Sequence, residues 1–363
     1  MMPQTPLSTP HPRSPRVLRW PLLAALGTVL GGDLSATLWE AALGAILKRA
    51  LPVAVGATLI LSACRTADEE AAATRPEGPY LVVLGNAQDG GYPQAGTKPG
   101  PAWEPERRRY AVSLGIVDPE TGERWLVEAT PDFREQLHLL DAAAPVDQIP
   151  GLAGILLTHA HVGHYAGLIH LGREVMGTRG VPVFAMPRMR EFLATNGPWE
   201  QLVRLGNMEL RPLEDGVPLH LNHHITVTPF RVPHRDEYSE TVGFRIQGPT
   251  RTVLFLPDID KWERWEEEGI RIQDVVAGMD VAYLDGTFFA DGEIPGRSMS
   301  EIPHPFMVET MVRFRDSPAS ERSKIRFIHL NRTNPALFAG TEERRAIREA
   351  GFRVAEMGEV VEL

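Results

Sequence analysis

LLTHAHVGHYAGLIHL, residues 156–171, places His159, His161 and His164 within six positions of a chain that has 12 histidines in 363 residues. The run ahead of them, AGILL (153–157), has the aliphatic and β-branched composition of a strand, and YAGLIHLGREVMG behind them can run as a helix. The three imidazoles then occupy a strand-to-helix loop, where side chains from several segments can converge. A metal ion is one candidate for the point of convergence.

The rest of the composition narrows the ligands such an ion could have. The chain contains one cysteine, Cys64, so neither an intrachain disulfide framework nor a cysteine-rich zinc knuckle can be built, and any metal must be held by nitrogen and oxygen. A hydrophobic content of 43% with 23% charged residues is that of an ordinary globular protein. The formal net charge of −10 argues against broad nucleic-acid binding. The length allows two domains or one larger α/β domain.

Cys64 closes KRALPVAVGATLILSAC (48–64): two cations, a short apolar tract and small residues, the pattern of an export signal. The tract is short for a transmembrane span. Leu61-Ser62-Ala63-Cys64 resembles the lipobox of bacterial lipoproteins, which implies a lipid anchor at Cys64 and an exported, membrane-anchored protein. Residues 1–63 therefore read as a leader with a lipoprotein-type signal, unusually long and with a second apolar stretch near 21–31. Residues 64–78, acidic and alanine-rich without apolar periodicity, read as a flexible tether, and 79–363 as one continuous domain.

Within that domain, strands are expected at 80–85, 110–117, 124–129, 182–185, 225–230, 241–247, 252–256, 281–285 and 325–330. Asp118-Pro119-Glu120-Thr121-Gly122 supplies a hairpin turn, and helices are expected over 131–143, 187–195, 305–315 and 342–350. Two groups of strands with interspersed helices suggest two sheets flanked by helices. Catalytic zinc takes three protein ligands from histidine and carboxylate and leaves a position for water. Three further candidates lie where apolar runs end: His234 in RVPHRDEYSETVGF, Asp258 in TVLFLPDID and His329 in IRFIHLN.

The order Thr158-His159-Ala160-His161, His164, His234, Asp258, His329 resembles the metallo-β-lactamase superfamily of metal-dependent hydrolases, over essentially all of the chain from Tyr80 onward. The motifs VLGNAQDGGYPQ (83–94), EATPDF (128–133), YLDGTFF (283–289), MSEIPHPF (299–306) and HLNRTNP (329–335) are similar to the branch containing the pyrroloquinoline quinone biosynthesis protein B family. The resemblance implies an α+β, four-layer αββα sandwich with the metal site at one edge of its sheets. It also implies that His159, His161 and His234 hold a first ion, that Asp258 bridges, and that His164 and His329 belong to a second. The superfamily's His-x-His-x-Asp-His loop has Gly163 in place of its Asp here, so one tightly held zinc is expected, with a second weak or absent. The quinone-biosynthesis relatives keep the Asp-His half and lose the His-x-His half, so this chain matches neither pattern. That branch also often carries a cysteine-based structural zinc after the first strand, and the residues around Thr97 offer no cysteine for one.

The resemblance implies a hydrolase acting on a small-molecule ester, phosphodiester or lactone, with Asp258 and His164 as its catalytic residues. Two alternatives are a redox or cofactor-maturation enzyme like the quinone-biosynthesis relatives, with Fe2+ as the metal, and a non-catalytic metal-binding lipoprotein. Other polar residues carry two readings each. Asp89-Gly90-Gly91 fits a cleft lining or a tight turn, and Asp285 with Thr287 fits the active site or a turn-closing side-chain bond. His304 reads as a surface-loop histidine, His223 and His224 as exposed, and WERWEEEG (262–269) as a solvated helical face rather than a cap.

Overall fold

Val253 and Phe255 belong to one hydrophobic core and their immediate neighbours Leu254 and Leu256 to another. Alternation of that kind is what a strand covered on both faces requires, because successive side chains leave opposite sides of the sheet. The computed structural model describes residues 76–363 apart from 148, 149, 295, 297 and 300; Cys64, the expected leader and the expected tether through residue 75 lie outside the described residues. No described helix is long and apolar enough to cross a membrane.

The chain forms β1 (Tyr80–Gly85), β2 (Ser113–Asp118), β3 (Glu123–Val127), β4 (Gly154–Leu156), β5 (Val181–Ala185) and β6 (Met208–Pro212). It continues with β7 (Leu219–His220), β8 (Thr226–Arg231), β9 (Val242–Gln247) and β10 (Thr252–Leu256). The last four strands are β11 (Val281–Asp285), β12 (Ile325–Ile328), β13 (Arg353–Val354) and β14 (Val360–Glu362). They make two seven-stranded sheets, ordered β14-β1-β2-β3-β4-β5-β6 and β13-β12-β11-β10-β9-β8-β7. Trp125, Val127 and Leu156 of the first sheet meet Phe244, Phe255 and Tyr283 of the second in a core between them. On the far side of the first sheet, Leu126 and Ile155 pack with Phe133, Leu140 and Met189 from helices. On the far side of the second, Leu284 and Phe327 pack with Trp262, Trp265 and Ile347. The protein is therefore a four-layer αββα sandwich.

Strand direction decides where a site can form. The pairs β3–β4, β10–β11 and β11–β12 are parallel. Two antiparallel steps carry β1 through β2 to β3, and two more carry β8 through β9 to β10. Within each sheet these strands therefore run alike, and in each the histidine or acidic residues follow their carboxyl ends.

Most expected elements form within a few residues of their expected bounds, but the helix after the histidine pair does not. Residues 162–165 make a single α turn, and 166–171 continue as a 3-10 helix. The His164 carbonyl, which would serve the next helical turn, accepts instead from Ala129 N at 2.8 Å, and Gly167 N donates to Ala129 O at 2.8 Å. A Cβ on Gly167 would sit 2.7 Å from the Phe133 side chain, so glycine lets this turn press against the loop after β3. WERWEEEG forms a helix over Trp262–Glu267 that buries both tryptophans, so it is a core-packing helix with a charged outer face.

Candidate metal centre

Seven segments deliver the site. Asp89 follows β1, Glu128 follows β3, His159 and its neighbours follow β4, His234 follows β8, Asp258 follows β10, Asp285 ends β11 and His329 follows β12. Three of these residues hold backbone conformations unusual outside glycine: Asp89 at φ 38°, Glu128 at 75° and His329 at 65°. They are the three described non-glycine residues with positive φ, and such conformations cluster at functional sites because the surroundings must hold them in place.

Asp258 stands at the centre, its side chain almost fully buried. Its Oδ2 lies 3.3 Å from His159 Nε2, 3.7 Å from His164 Nε2 and 3.9 Å from His329 Nε2, while its Oδ1 lies 3.2 Å from His234 Nε2. His161 Nδ1 approaches His159 Nε2 at 2.8 Å and His234 Nε2 at 3.3 Å. All six histidine and aspartate residues read from the sequence thus face one small volume. The donor atoms of His159, His161, His234 and Asp258 all lie within 4.8 Å of one another, as do those of Asp89, His164 and His329. Two donors bound tetrahedrally at zinc distances are roughly 3.4 Å apart, so the first group has the spacing an ion needs.

The outward nitrogens of these rings are already occupied, and this fixes which nitrogen faces inward. Thr158 Oγ1 donates to Glu128 Oε1 and so accepts from His159 Nδ1 at 2.9 Å. Glu128 Oε1 also accepts from His164 Nδ1 at 3.2 Å. Asp260 Oδ1 accepts from His234 Nδ1 at 3.1 Å, and Glu237 Oε2 from His161 Nε2 at 3.0 Å. Thr287 Oγ1, which donates to Asp285 Oδ1 at 2.7 Å, accepts from His329 Nδ1 at 2.9 Å. Each of the five imidazoles therefore presents its other nitrogen to the space around Asp258, the arrangement by which metal-binding histidines are oriented. His164 Nε2, His329 Nε2 and Asp258 Oδ1 are buried with no hydrogen-bond partner among the described residues. Orphaned buried polar atoms are costly unless something fills the gap. A divalent cation fits this donor set.

Burial, with the His164 charge beside it, holds His159 well below the usual imidazole range; burial does the same for His329 and, to a smaller extent, His161. Burial works against the charge on Asp258, but the imidazoles of His234, His304 and His329 hold its carboxyl well below the carboxylate range. For His164, burial is outweighed by the carboxylates of Glu128, Asp258 and Asp89, which push it up to about 9, so a proton must leave before the ring can ligate.

His304 overturns the surface reading: it is buried, with Nδ1 2.8 Å from Asp285 Oδ2 and 3.2 Å from Asp258 Oδ1. Burial lowers it, but Asp285 and then Asp258 push it up to about 9. Asp285 satisfies both sequence readings, closing a turn onto Thr287 with one oxygen and facing His304 with the other. His223 is exposed as expected, whereas His224 is half-buried against Asp118 at 2.8 Å. A cavity of about 840 Å3 lined in part by Arg124, Ala153 and Val181 opens at the amino ends of β3, β4 and β5, away from the histidines. The donor set, and not that cavity, marks the site.

Residues 123–329 match the beta-lactamase superfamily domain. The chain belongs to that superfamily. It is 29% identical over 314 residues to coenzyme PQQ synthesis protein B of Methylobacterium nodulans, covering 78% of this chain and 99% of that protein. The Zn2+-bound PqqB structure from Methylobacterium extorquens superposes with a TM-score of 0.65 at 22% identity, over 78% of this chain and 100% of that one. A diphosphatase of the PhnP family superposes with a TM-score of 0.53 at 19% identity, over 78% of this chain and 96% of that one. Within the superfamily the chain resembles the PqqB branch, as its sequence motifs imply.

Glu128 and Asp260 were not singled out by sequence reasoning, although each carries a signal. Glu128 directly follows the apolar run of β3, and Asp260 lies two residues beyond Asp258.

Proposed function

We propose that the chain is a zinc-dependent hydrolase acting on a small-molecule ester, phosphodiester or lactone. One observation carries the reading: five imidazoles, each with its outer nitrogen hydrogen-bonded, present their inner nitrogens around one buried carboxylate. His159, His161 and His234 would hold the ion together with Asp258. A bound zinc supplies hydroxide near neutral pH and polarises the substrate oxygen. Asp258 positions the attacking water, and His164 stays fixed against Glu128 beside it. His304, anchored through Nδ1 to Asp285, would hydrogen-bond the leaving group. Turnover of an aryl phosphodiester, an aryl ester and a lactone by the purified protein tests this, with loss on chelation and recovery on adding zinc. No turnover of any of the three by zinc-loaded protein contradicts it.

A second reading has its own support in the 29% identity to coenzyme PQQ synthesis protein B: a redox or cofactor-maturation enzyme with iron in the same site. Elemental analysis of protein purified without added metal separates the two. We also propose that Cys64 is lipidated and anchors the exported protein at a membrane, which the 48–64 pattern supports. A Cys64→Ser variant should lose membrane association and labelling by fatty acid. Wild type that stays soluble and unprocessed contradicts the anchor.

A further inference from the structure

A Cβ on Gly163 would lie 2.5 Å from Asp89 Cα and 3.0 Å from Asp89 Cβ, nearer still to Asp89 Oδ1. The space beside Gly163 is already filled by another residue's carboxylate. Asp89 Oδ1 stands 3.9 Å from His164 Nε2, and its donor atom groups with those of His164 and His329 within 4.8 Å. His164 Nε2 and His329 Nε2 are fully buried and unpartnered among the described residues. Asp258 Oδ2 is 3.7 Å from the first and 3.9 Å from the second. His164 thus stands between the two carboxylates, 3.9 Å from Asp89 and 3.7 Å from Asp258, distances a few tenths of an ångström wider than the roughly 3.4 Å between two ligands of one ion.

We propose that Asp89, delivered by the loop after β1, is the carboxylate ligand of a second divalent cation held with His164, His329 and Asp258. The glycine at 163 makes room for it. The carboxylate thereby moves from the histidine loop to a different segment, and a chain that looks one anion short by its local motif is complete in space. The Asp89 loop is fixed in place. Ala87 bridges both Ala111 and Leu330, Gln88 N donates to Leu330 O at 2.8 Å, and Leu330 N donates to Asn86 O at 2.9 Å. Leu330 is the neighbour of His329, so one backbone connection sets Asp89 and His329 together. Aspartate is among the few residue types that tolerate the positive φ this loop imposes at 89. A second dication beside the first needs anionic donors to offset its charge, and Asp89 adds one to the shared Asp258.

The inference rests on the metal-centre reading above, and zinc titration of the full chain under a competing chelator keeps the two apart. Wild type should bind two zinc ions per chain. Asp89→Asn, of the same shape without the charge, should keep the first ion and weaken the second by about tenfold or more. Gly163→Ala changes no donor but pushes on the Asp89 backbone, and should weaken the same ion. Gly163→Asp should fail to strengthen it, because its Cβ meets Asp89 Cα. Far-UV circular dichroism confirms that each variant is folded. One ion in wild type, or two ions of unchanged affinity in Asp89→Asn, overturns the role of Asp89 and leaves the hydrolase reading standing. No tight ion in wild type overturns both.

Discussion

Glu128 Oε1 accepts from His164 Nδ1 at 3.2 Å, joining two buried groups, one just after β3 and one in the helical turn that follows β4. Glu128 adopts φ 75° and also takes the Thr158 hydroxyl, which in turn holds His159. One carboxylate therefore orients two neighbouring rings that both face Asp258 Oδ2. Glu128→Gln keeps the size and removes the charge. Metal affinity should fall by roughly 10–100-fold, the usual cost of removing a group that orients a ligand, with the fold retained. Chelator competition measures it, and unchanged affinity would show that the ring positions are set by packing alone.

His304 separates binding from turnover. Its Nδ1 is engaged by Asp285 at 2.8 Å, and the proposed hydrolase uses it on the leaving group rather than as a metal ligand. His304→Ala should retain the zinc content of wild type while kcat falls by roughly 10²–10⁴-fold, the range for a positioned proton donor. A loss of zinc equal to that of a ligand variant would make His304 a ligand instead.

Glu293 gives the fold a pH dependence. Burial raises its carboxyl from the ordinary 4.5 to about 7, partly opposed by hydrogen bonds from the Ala290 and Phe289 backbone. The folded state then holds a proton that the unfolded chain gives up, so this contribution is fully present below about 4.5 and is lost as pH rises through about 7. Between pH 5 and 8, wild type should lose stability relative to Glu293→Gln. Urea midpoints measured on both proteins test this, and parallel curves would show that Glu293 titrates alike in the folded and unfolded chain.

Much of this was legible in the residues. The sandwich follows from apolar runs of strand length, and each ligand stands where such a run stops: Asp258 after Thr252–Leu256, His329 after Ile325–Ile328. Three things were not legible, for physical reasons. The helix after His161 is cut short by a tertiary bond from Ala129 to the His164 carbonyl, which no local pattern records. His304 sits in a loop between prolines whose burial depends on Asp285 and Asp258, 19 and 46 residues away in the chain. The relation of Asp89 to Gly163 joins loops from β1 and β4, strands separated in the sheet by β2 and β3. Spacing along the chain cannot show that one residue fills the volume another leaves.

Zinc content of the purified full chain, compared between wild type and His161→Ala, tests the central claim most directly. His161 closes the group formed with His159, His234 and Asp258, and its side chain is 17% exposed, so its removal leaves the buried cores intact. The account predicts tightly bound zinc in wild type and loss of the ion held by His159, His161 and His234 in a folded His161→Ala. Full zinc content in that variant, or none in wild type, would contradict it.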